Sequence, residues 1–350
     1  MIVIHIHSGL GNQMSAYCEY LALKSVNPTA DFYLETIVYN ISEKNNYISQ
    51  WNGYELDRIF GVNTPPNIRT LFTDKQWEGI MAEVRNEVLV NNNLSYAAVV
   101  TKALNNAGLN LKNMRVDLDI PEYPDALERF LGKKNASSLR RSALFYYLRK
   151  IRSRFVENKR YAKQGENLFL HTDEDILTGM KLSFKLKGFG RERIDDQIHQ
   201  TFVFPPFNDE KNQEMAEYLG SVNSVAIHAR RGDMLSSNGD CYRFGYFKRS
   251  VKFIRKNVKE PVFVFFTNPG SVQWCKDNYK IFGLNPQKDK ILFVDWNKGN
   301  DSYRDMQLIS CCHHAVITNS SFGWWGAYFI PYKDKITISP WPEMDTTHHF

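Results

Sequence analysis

Ser224-Val225-Ala226-Ile227-His228-Ala229-Arg230-Arg231-Gly232-Asp233 is the stretch that decides how this chain is read. Its first residues are a strand-like apolar run, and the run empties into a polar loop. Two adjacent arginines and an aspartate at a strand's carboxyl end are badly placed for a core. They are well placed for a ligand, because open α/β sheets bind in the crevice outside those ends. The fixed donor fork of arginine matches a phosphate or carboxylate bidentately. The loop therefore reads as an anion clamp suited to the diphosphate of a nucleotide sugar. The plainer alternative is a surface salt bridge from Arg231 to Asp233.

Outward from this loop, strands and helices alternate. A helix over Tyr246–Val258 precedes the strand Val262–Phe266, which ends in Thr267-Asn268-Pro269, and a further helix starts at Val272. The strand Ile291–Val294 ends in Asp295-Trp296, and a helix over Ser302–Cys312 carries Asp305-Met306. The strand Ala315–Ile317 runs into Thr318-Asn319-Ser320-Ser321-Phe322-Gly323-Trp324-Trp325-Gly326-Ala327, and a last strand spans Lys335–Ile338. Such alternation implies a parallel sheet with right-handed crossovers. The loops His228–Asp233, Thr267-Asn268 and Asn319–Ser321 then converge on one edge. Ser320 or Ser321 could cap the helix over Trp324–Phe329, or that helix's free N–H groups could take a phosphate. The tryptophan pair reads as support for the loop.

The N-terminal half opens with a second strand–loop–helix. Ile2–His7 leads into Ser8-Gly9-Leu10-Gly11-Asn12-Gln13, then a helix from Met14 to about Val26, then the strand Asp31–Glu35. Gly9 and Gly11 permit a tight turn and close backbone approach to a ligand. Glu35 stands where the ribose-binding acid of a dinucleotide fold would stand. NAD binding is therefore the competing reading, although position 14 is Met rather than a third glycine. Tyr54–Gly61 predicts a short helix with a glycine stop, and residues 139–156 a basic amphipathic helix. Leu144, Leu148, Ile151 and Phe155 form its apolar stripe, flanked by Arg141, Arg149, Lys150, Arg152 and Arg154. It suits either an anionic membrane surface or packing between domains. We place the domain boundary at Gly220, giving 1–219, with a basic helical segment at 133–163, and 220–350.

The 350 residues suit two domains. Of the net charge of +6, Lys133 to Lys163 contributes eleven Lys/Arg against one acid, Glu157. That segment carries +10 and leaves −4 for the rest, a local patch rather than a nucleic-acid-binding chain. No apolar run is long enough for a transmembrane helix, and the N-terminus lacks the basic start of a signal peptide, so a cytoplasmic protein is expected. Five cysteines without a Cys-x-x-Cys suit reduced thiols. Cys311-Cys312-His313-His314 has the wrong spacing for zinc and reads as the end of a buried helix.

Gly9-Leu10-Gly11-Asn12-Gln13-Met14, His228-x-Arg230-Arg231-Gly232-Asp233 and Asn319-Ser320-Ser321-Phe322-Gly323-Trp324-Trp325-Gly326-Ala327 resemble, in order and spacing, the three motifs of the α-1,2-fucosyltransferases of glycosyltransferase family 11. Asp305-Met306 fits as well. The resemblance is thin between about 70 and 200. It implies a GT-B-type fold, two Rossmann-like domains facing a cleft. It also implies metal-free, inverting transfer of fucose from GDP-fucose to a galactoside. Arg230 and Arg231 would hold the donor diphosphate, with Gly9, Gly11, Asn12, Gln13, His228, Asn268, Asp305, Asn319, Ser320, Ser321 and Phe322 around donor or acceptor. Inversion needs a base for the acceptor hydroxyl. Asp233 is the first candidate, with Asp240 and Glu35 behind it, and orienting an arginine is the other reading of Asp233. The motifs depart from the family at Ser15-Ala16, Thr267-Asn268-Pro269, Gly188-Phe189-Gly190-Arg191 and Gly323. These changes leave the acceptor, the linkage and the 6-deoxysugar open, GDP-colitose included. The implied setting is surface-polysaccharide assembly on a lipid-linked acceptor, at the inner face of the cytoplasmic membrane. A non-catalytic carbohydrate-binding or scaffold protein is a third reading.

Overall fold

Short, largely apolar segments bounded by polar loops give the longer strands, and among the described residues all strands pair in parallel. The structure is a computed structural model that describes residues 1–41, 52–90, 96–114, 126–140, 142–152, 169–178, 191–341 and 344–350. Two compact units divide it: Met1–Ser142 with Lys159–Val203, and Ala143–Asn158 with Phe204–Phe350.

In the first unit β1 (Ile2–His5) leads into α1 (Leu10–Val26), followed by β2 (Phe32–Glu35), α2 (Leu56–Phe60), α3 (Asp74–Val90), α4 (Tyr96–Asn106) and β3 (Lys112–Asn113). After α5 (Ala126–Arg140) comes α6 (Ala143–Arg152), which belongs to the second unit. Then β4 (Ile176–Leu177) and α7 (Arg191–Thr201) complete the first unit. Its sheet has the order β2-β1-β4-β3, all parallel. Val3, Ile37, Ile68, Val84, Val100, Leu104 and Leu177 fill one side of it.

The second unit runs α8 (Glu210–Ser221), β5 (Ser224–Ala229), α9 (Leu235–Arg243), α10 (Tyr246–Asn257), β6 (Val262–Thr267), α11 (Val272–Asp277), α12 (Tyr279–Phe282) and β7 (Lys290–Val294). It ends with α13 (Tyr303–Cys311), β8 (His314–Ile317), α14 (Ser321–Tyr328), β9 (Thr337–Ser339) and β10 (His348–His349). Central β6 is buried on both faces, which explains its unbroken Val-Phe-Val-Phe-Phe. Burying each of its phenylalanines contributes about 1.5–3 kcal/mol.

Three sequence expectations are corrected. The division falls at Phe204 rather than Gly220, because Arg304 and Gln307 of α13 both hold the Pro205 carbonyl, at 2.9 and 3.0 Å, and Arg304 also holds the Asn208 side chain. This fixes the chain before α8 onto the second unit. The predicted helix 139–156 is broken into α5, kinked at Gly132 (φ 74°), and α6. Phe155 and Arg154 lie outside the described residues, as do Arg141 and Gly188–Gly190. The first helix starts at Leu10, not Met14, because the glycine loop itself winds into its first turn.

Cys311–His314 diverge in the structure. The Cys312 thiol donates to the Leu308 carbonyl, His313 stacks on Tyr332, and His314 Nδ1 accepts from the Ile336 N–H.

Gly326 shows why α14 can lie close to α13. A Cβ there would meet Ile309 Cγ2 at 2.6 Å and Cβ at 2.7 Å, with the Met306 carbonyl at 3.2 Å. The obstructing atoms sit on or next to the backbone and cannot swing away. Gly326→Ala is expected to destabilise the protein by about 1–3 kcal/mol through overpacking, read by denaturant titration.

Candidate functional site

Counted from β5, the second sheet has strand order 3-2-1-4-5-6, since its neighbours run β10-β9-β8-β5-β6-β7. The order reverses between β5 and β8, and ligands of open α/β sheets bind outside the carboxyl ends at that point. The two loops that flank it are His228–Asp233 and Thr318–Phe322, and they are laced together. Thr318 Oγ1 donates to the His228 carbonyl and accepts from Arg230 N–H, both at 3.2 Å. Buried Asn238 accepts from Asn319 N–H at 3.0 Å while its amide reaches the Arg230 carbonyl at 3.5 Å. Tyr242 also donates to that carbonyl, at 3.0 Å. The Arg230 backbone is thus held on every side, and its half-buried side chain starts from a fixed point at the switch.

Arg231 is held differently. Its guanidinium lies over the Trp274 ring at 3.2 Å and over Tyr242 at 5.1 Å, and its N–H donates to Asn268 Oδ1 at 2.8 Å. Stacking on an indole leaves the in-plane N–H edges of a guanidinium able to meet an anion. Asn268 therefore organises the arginine loop. Gly232 has φ +53°, and Asn268 lies 3.4 Å from where its Cβ would be, so both conformation and space favour glycine there. Asp233 sits on a 3-10 turn, Gly232–Met234, and its side chain lies outside the described residues. Asp240, the second candidate base, pairs with Arg149 at 2.7 Å.

Ser320 occupies the N-cap of α14 without a side-chain capping bond, so that end is not closed by its own serine. Half-buried Ser321 and Phe322 begin the helix. The N-terminal N–H groups of α14 and the helix dipole favour an anion there. His228 backs this end. Its ring stacks on Phe322 and occupies the space a Cβ at Gly323 would need, with Cγ 2.7 Å from that position. Burial, then the nearby Arg230 charge, lower the His228 pKa to about 3. A neutral imidazole at physiological pH cannot act as a cation toward phosphate, and it packs rather than titrates.

The loop after β7 adds a polar network. Asp305 Oδ1 accepts from Asn297 at 2.8 Å, Asn297 and Asn212 exchange amide bonds, and Trp296 Nε1 donates to Asn212 at 3.0 Å. Burial raises the Asp305 pKa to about 7, opposed by the Asn297 bond and reinforced by Asp295. A raised folded pKa means the folded state holds a proton that the unfolded state releases at about pH 4. The stability of the protein relative to Asp305→Asn is therefore expected to fall as pH rises from about 4 to 7, and to level off above that. Thermal melts across that range measure it.

In the first unit the glycine loop is clamped from inside. Ser8 has φ 70°, and its carbonyl accepts from Tyr39 OH at 2.6 Å and Gln13 Nε2 at 3.0 Å. Gln13 is fully buried, and its amide also binds the Gly53 carbonyl and Glu55 N–H. It holds the loop from within. Asn12 and Gly9 are half-buried, Gly11 is buried, and the space beside the Gly9 Cα is open. Glu35 is fully buried, with one oxygen on His5 Nδ1 and the other accepting Ile37 N–H at 2.5 Å. Both oxygens are committed, so the acid that carried the dinucleotide reading is not available to a ribose.

Residues 201–349 match the model of "Glycosyl transferase family 11". That stretch is similar to glycosyl transferase family 11. The arginine loop, Asp305 and the Asn319–Ala327 segment lie inside the family 11 match, and the Gly9–Gln13 loop lies outside it. An α-1,2-colitosyltransferase of Escherichia coli is 34% identical over 202 residues, covering 54% of this chain and 62% of that protein. The O-antigen biosynthesis glycosyltransferase WbnK of Escherichia coli is 27% identical, covering 34% and 39%. Galactoside α-(1,2)-fucosyltransferase 1 of Plecturocebus brunneus is 26% identical, covering 39% and 38%. The chain thus spans less than two thirds of the length of these relatives. A structure of the NodZ α-1,6-fucosyltransferase co-crystallised with GDP aligns over 94% of this chain and 92% of its own, at TM-score 0.44 and 10% identity, a distance that carries no functional weight.

Sequence reasoning found the two switch-point loops. It missed Asn238, Tyr242, Trp274 and His5, which are single polar or aromatic residues inside helices and a strand. Only their partners in space give them a role.

Proposed function

We propose that the chain is an inverting glycosyltransferase moving L-fucose from GDP-fucose to the 2-hydroxyl of a galactoside in a surface glycan. The observation that carries this is the pair of loops, Arg230-Arg231 and Asn319–Phe322, laced together at the switch point of a 3-2-1-4-5-6 sheet. The departing GDP gains negative charge as the sugar–phosphate bond breaks. Arg230, Arg231 and the N-terminal end of α14 stabilise that charge where it develops, so that no metal is needed. The glycine-lined Ser8–Gln13 loop, held from within by Gln13, serves the acceptor. The family 11 match supports the reading. The 34% identity to an α-1,2-colitosyltransferase supports a second one, transfer of another GDP-6-deoxysugar by the same machinery. A lipid-linked acceptor, and work at the inner face of the cytoplasmic membrane, belong to the same proposal.

The test is incubation with GDP-fucose or GDP-colitose and a terminal β-galactoside, with EDTA present, and linkage analysis of the product by NMR. An α-1,2-linked product whose yield EDTA does not change supports the reading. Transfer that requires added metal, or release of GDP without a glycoside product, would contradict it.

A further inference from the structure

Helix α6 is amphipathic, and the described residues leave its apolar stripe exposed. Leu144, Tyr147, Leu148 and Ile151 follow the i, i+3, i+4, i+7 spacing of a single helix face, and they are 65, 48, 49 and 58% exposed. The helix is held to its unit from the other side. Tyr146 is 1% exposed, stacked on Phe244 at 4.8 Å and edge-on to Trp341 at 6.0 Å. Arg149 pairs with Asp240 at 2.7 Å. A helix that merely filled space between elements would bury its leucines and expose its tyrosine hydroxyl and arginine. This one exposes its leucines and buries Tyr146, so its stripe is made for something the described residues do not supply.

We infer that this face lies in the interfacial region of an anionic lipid bilayer. Three features select that occupant. The helix contains no acidic residue, and its last turn carries Arg149, Lys150 and Arg152. The Lys133–Lys163 stretch around it carries +10. The stripe combines leucine and isoleucine with a tyrosine, and such a ring settles at headgroup depth. Ten residues of helix are about 15 Å long, enough to lie in the membrane plane and too short to cross it. This deepens the membrane-side part of the proposed function by naming the contact face and the lipid class. It stands on α6 alone and does not depend on which sugar is transferred.

The experiment is co-sedimentation of the whole chain with vesicles of phosphatidylcholine alone, or with about one third phosphatidylglycerol, at low and high salt. Each exposed cation near an anionic surface strengthens binding several-fold, so the anionic vesicles are expected to bind at least about tenfold more tightly, with the gain lost in high salt. Leu148→Glu, at a half-exposed position that leaves Tyr146 in place, is expected to abolish binding while transfer to a soluble galactoside is unchanged. Ile151→Glu should do the same. Equal binding to both vesicle types, no binding to either, or undiminished binding by Leu148→Glu would overturn the inference. So would a concentration-dependent dimer in light scattering that Leu148→Glu dissociates, because a second copy would then cover the stripe. Failure of the transfer assay with vesicle binding intact would count against the sugar chemistry and not against this surface.

Discussion

Arg230→Ala is expected to lower kcat/KM for the GDP-sugar by about 10²–10³-fold, the largest loss of activity of any single replacement proposed. The magnitude follows from removing a charge-assisted, bidentate contact to a diphosphate, worth about 2–5 kcal/mol when its partner is left unpaired. The loss should appear in kcat as well as KM, because the charge on the departing GDP grows as the bond breaks and the arginine then binds it more strongly. Folding should survive. The Arg230 contacts that lace the loops to Thr318, Asn238 and Tyr242 are made by its backbone, and alanine keeps them. Arg230→Lys is expected to recover only part of the activity, since a single ammonium cannot replace the fork. Steady-state kinetics on the two variants, with thermal melts as the folding control, measure this. A kcat/KM within threefold of the unmodified protein would remove Arg230 from the donor site.

Glu35→Ala is expected to cost about 3–5 kcal/mol of stability and to threaten folding outright. Its carboxylate is fully buried at the end of β2, opposite His5 at the end of β1 in the parallel register. Removing it strands the His5 imidazole without its Nδ1 partner and leaves the Ile37 N–H without an acceptor. His5 already has Nε2 buried without a hydrogen-bond partner, and its ring stacks on those of His7 and Tyr96. The ring would be left with no hydrogen bond recorded to either nitrogen. The double variant His5→Leu with Glu35→Leu should be markedly more stable than Glu35→Ala, because replacing both partners leaves no orphan. Urea unfolding of the three proteins gives the comparison. A loss under 1 kcal/mol for Glu35→Ala would show that water or a local shift satisfies the ring instead.

The second unit was legible for a physical reason. Its inner strands β5, β6 and β8 are buried on both faces, so they appear as apolar runs such as Val262–Phe266, and each run stops abruptly at polar residues. Because a parallel sheet puts all such stops on one edge, the loops at Arg230, Asn268 and Asn319 could be grouped without coordinates. Strand order could not be read, since β8 pairs with β5 although β6, β7 and the helices α9 to α13 intervene in the chain. The switch point therefore appeared only in the structure. The first unit was less legible because its pairing rests on very short strands, two residues each in β3 and β4. The role of Gln13 was also hidden. Beside two glycines an amide looks like a ligand group, and only the positions of the Ser8 and Gly53 carbonyls show that it is committed inward. Periodicity found the stripe of α6, but periodicity alone could not tell which way the stripe faces.

The measurement that bears most directly on the central claim is calorimetric titration of the whole chain with GDP, GDP-fucose and NAD, each with and without EDTA. A diphosphate clamp at the β5–β8 switch point predicts micromolar GDP and GDP-fucose binding that EDTA leaves unchanged, and no heat with NAD. Binding of NAD with none of GDP, or GDP binding that EDTA abolishes, would contradict it.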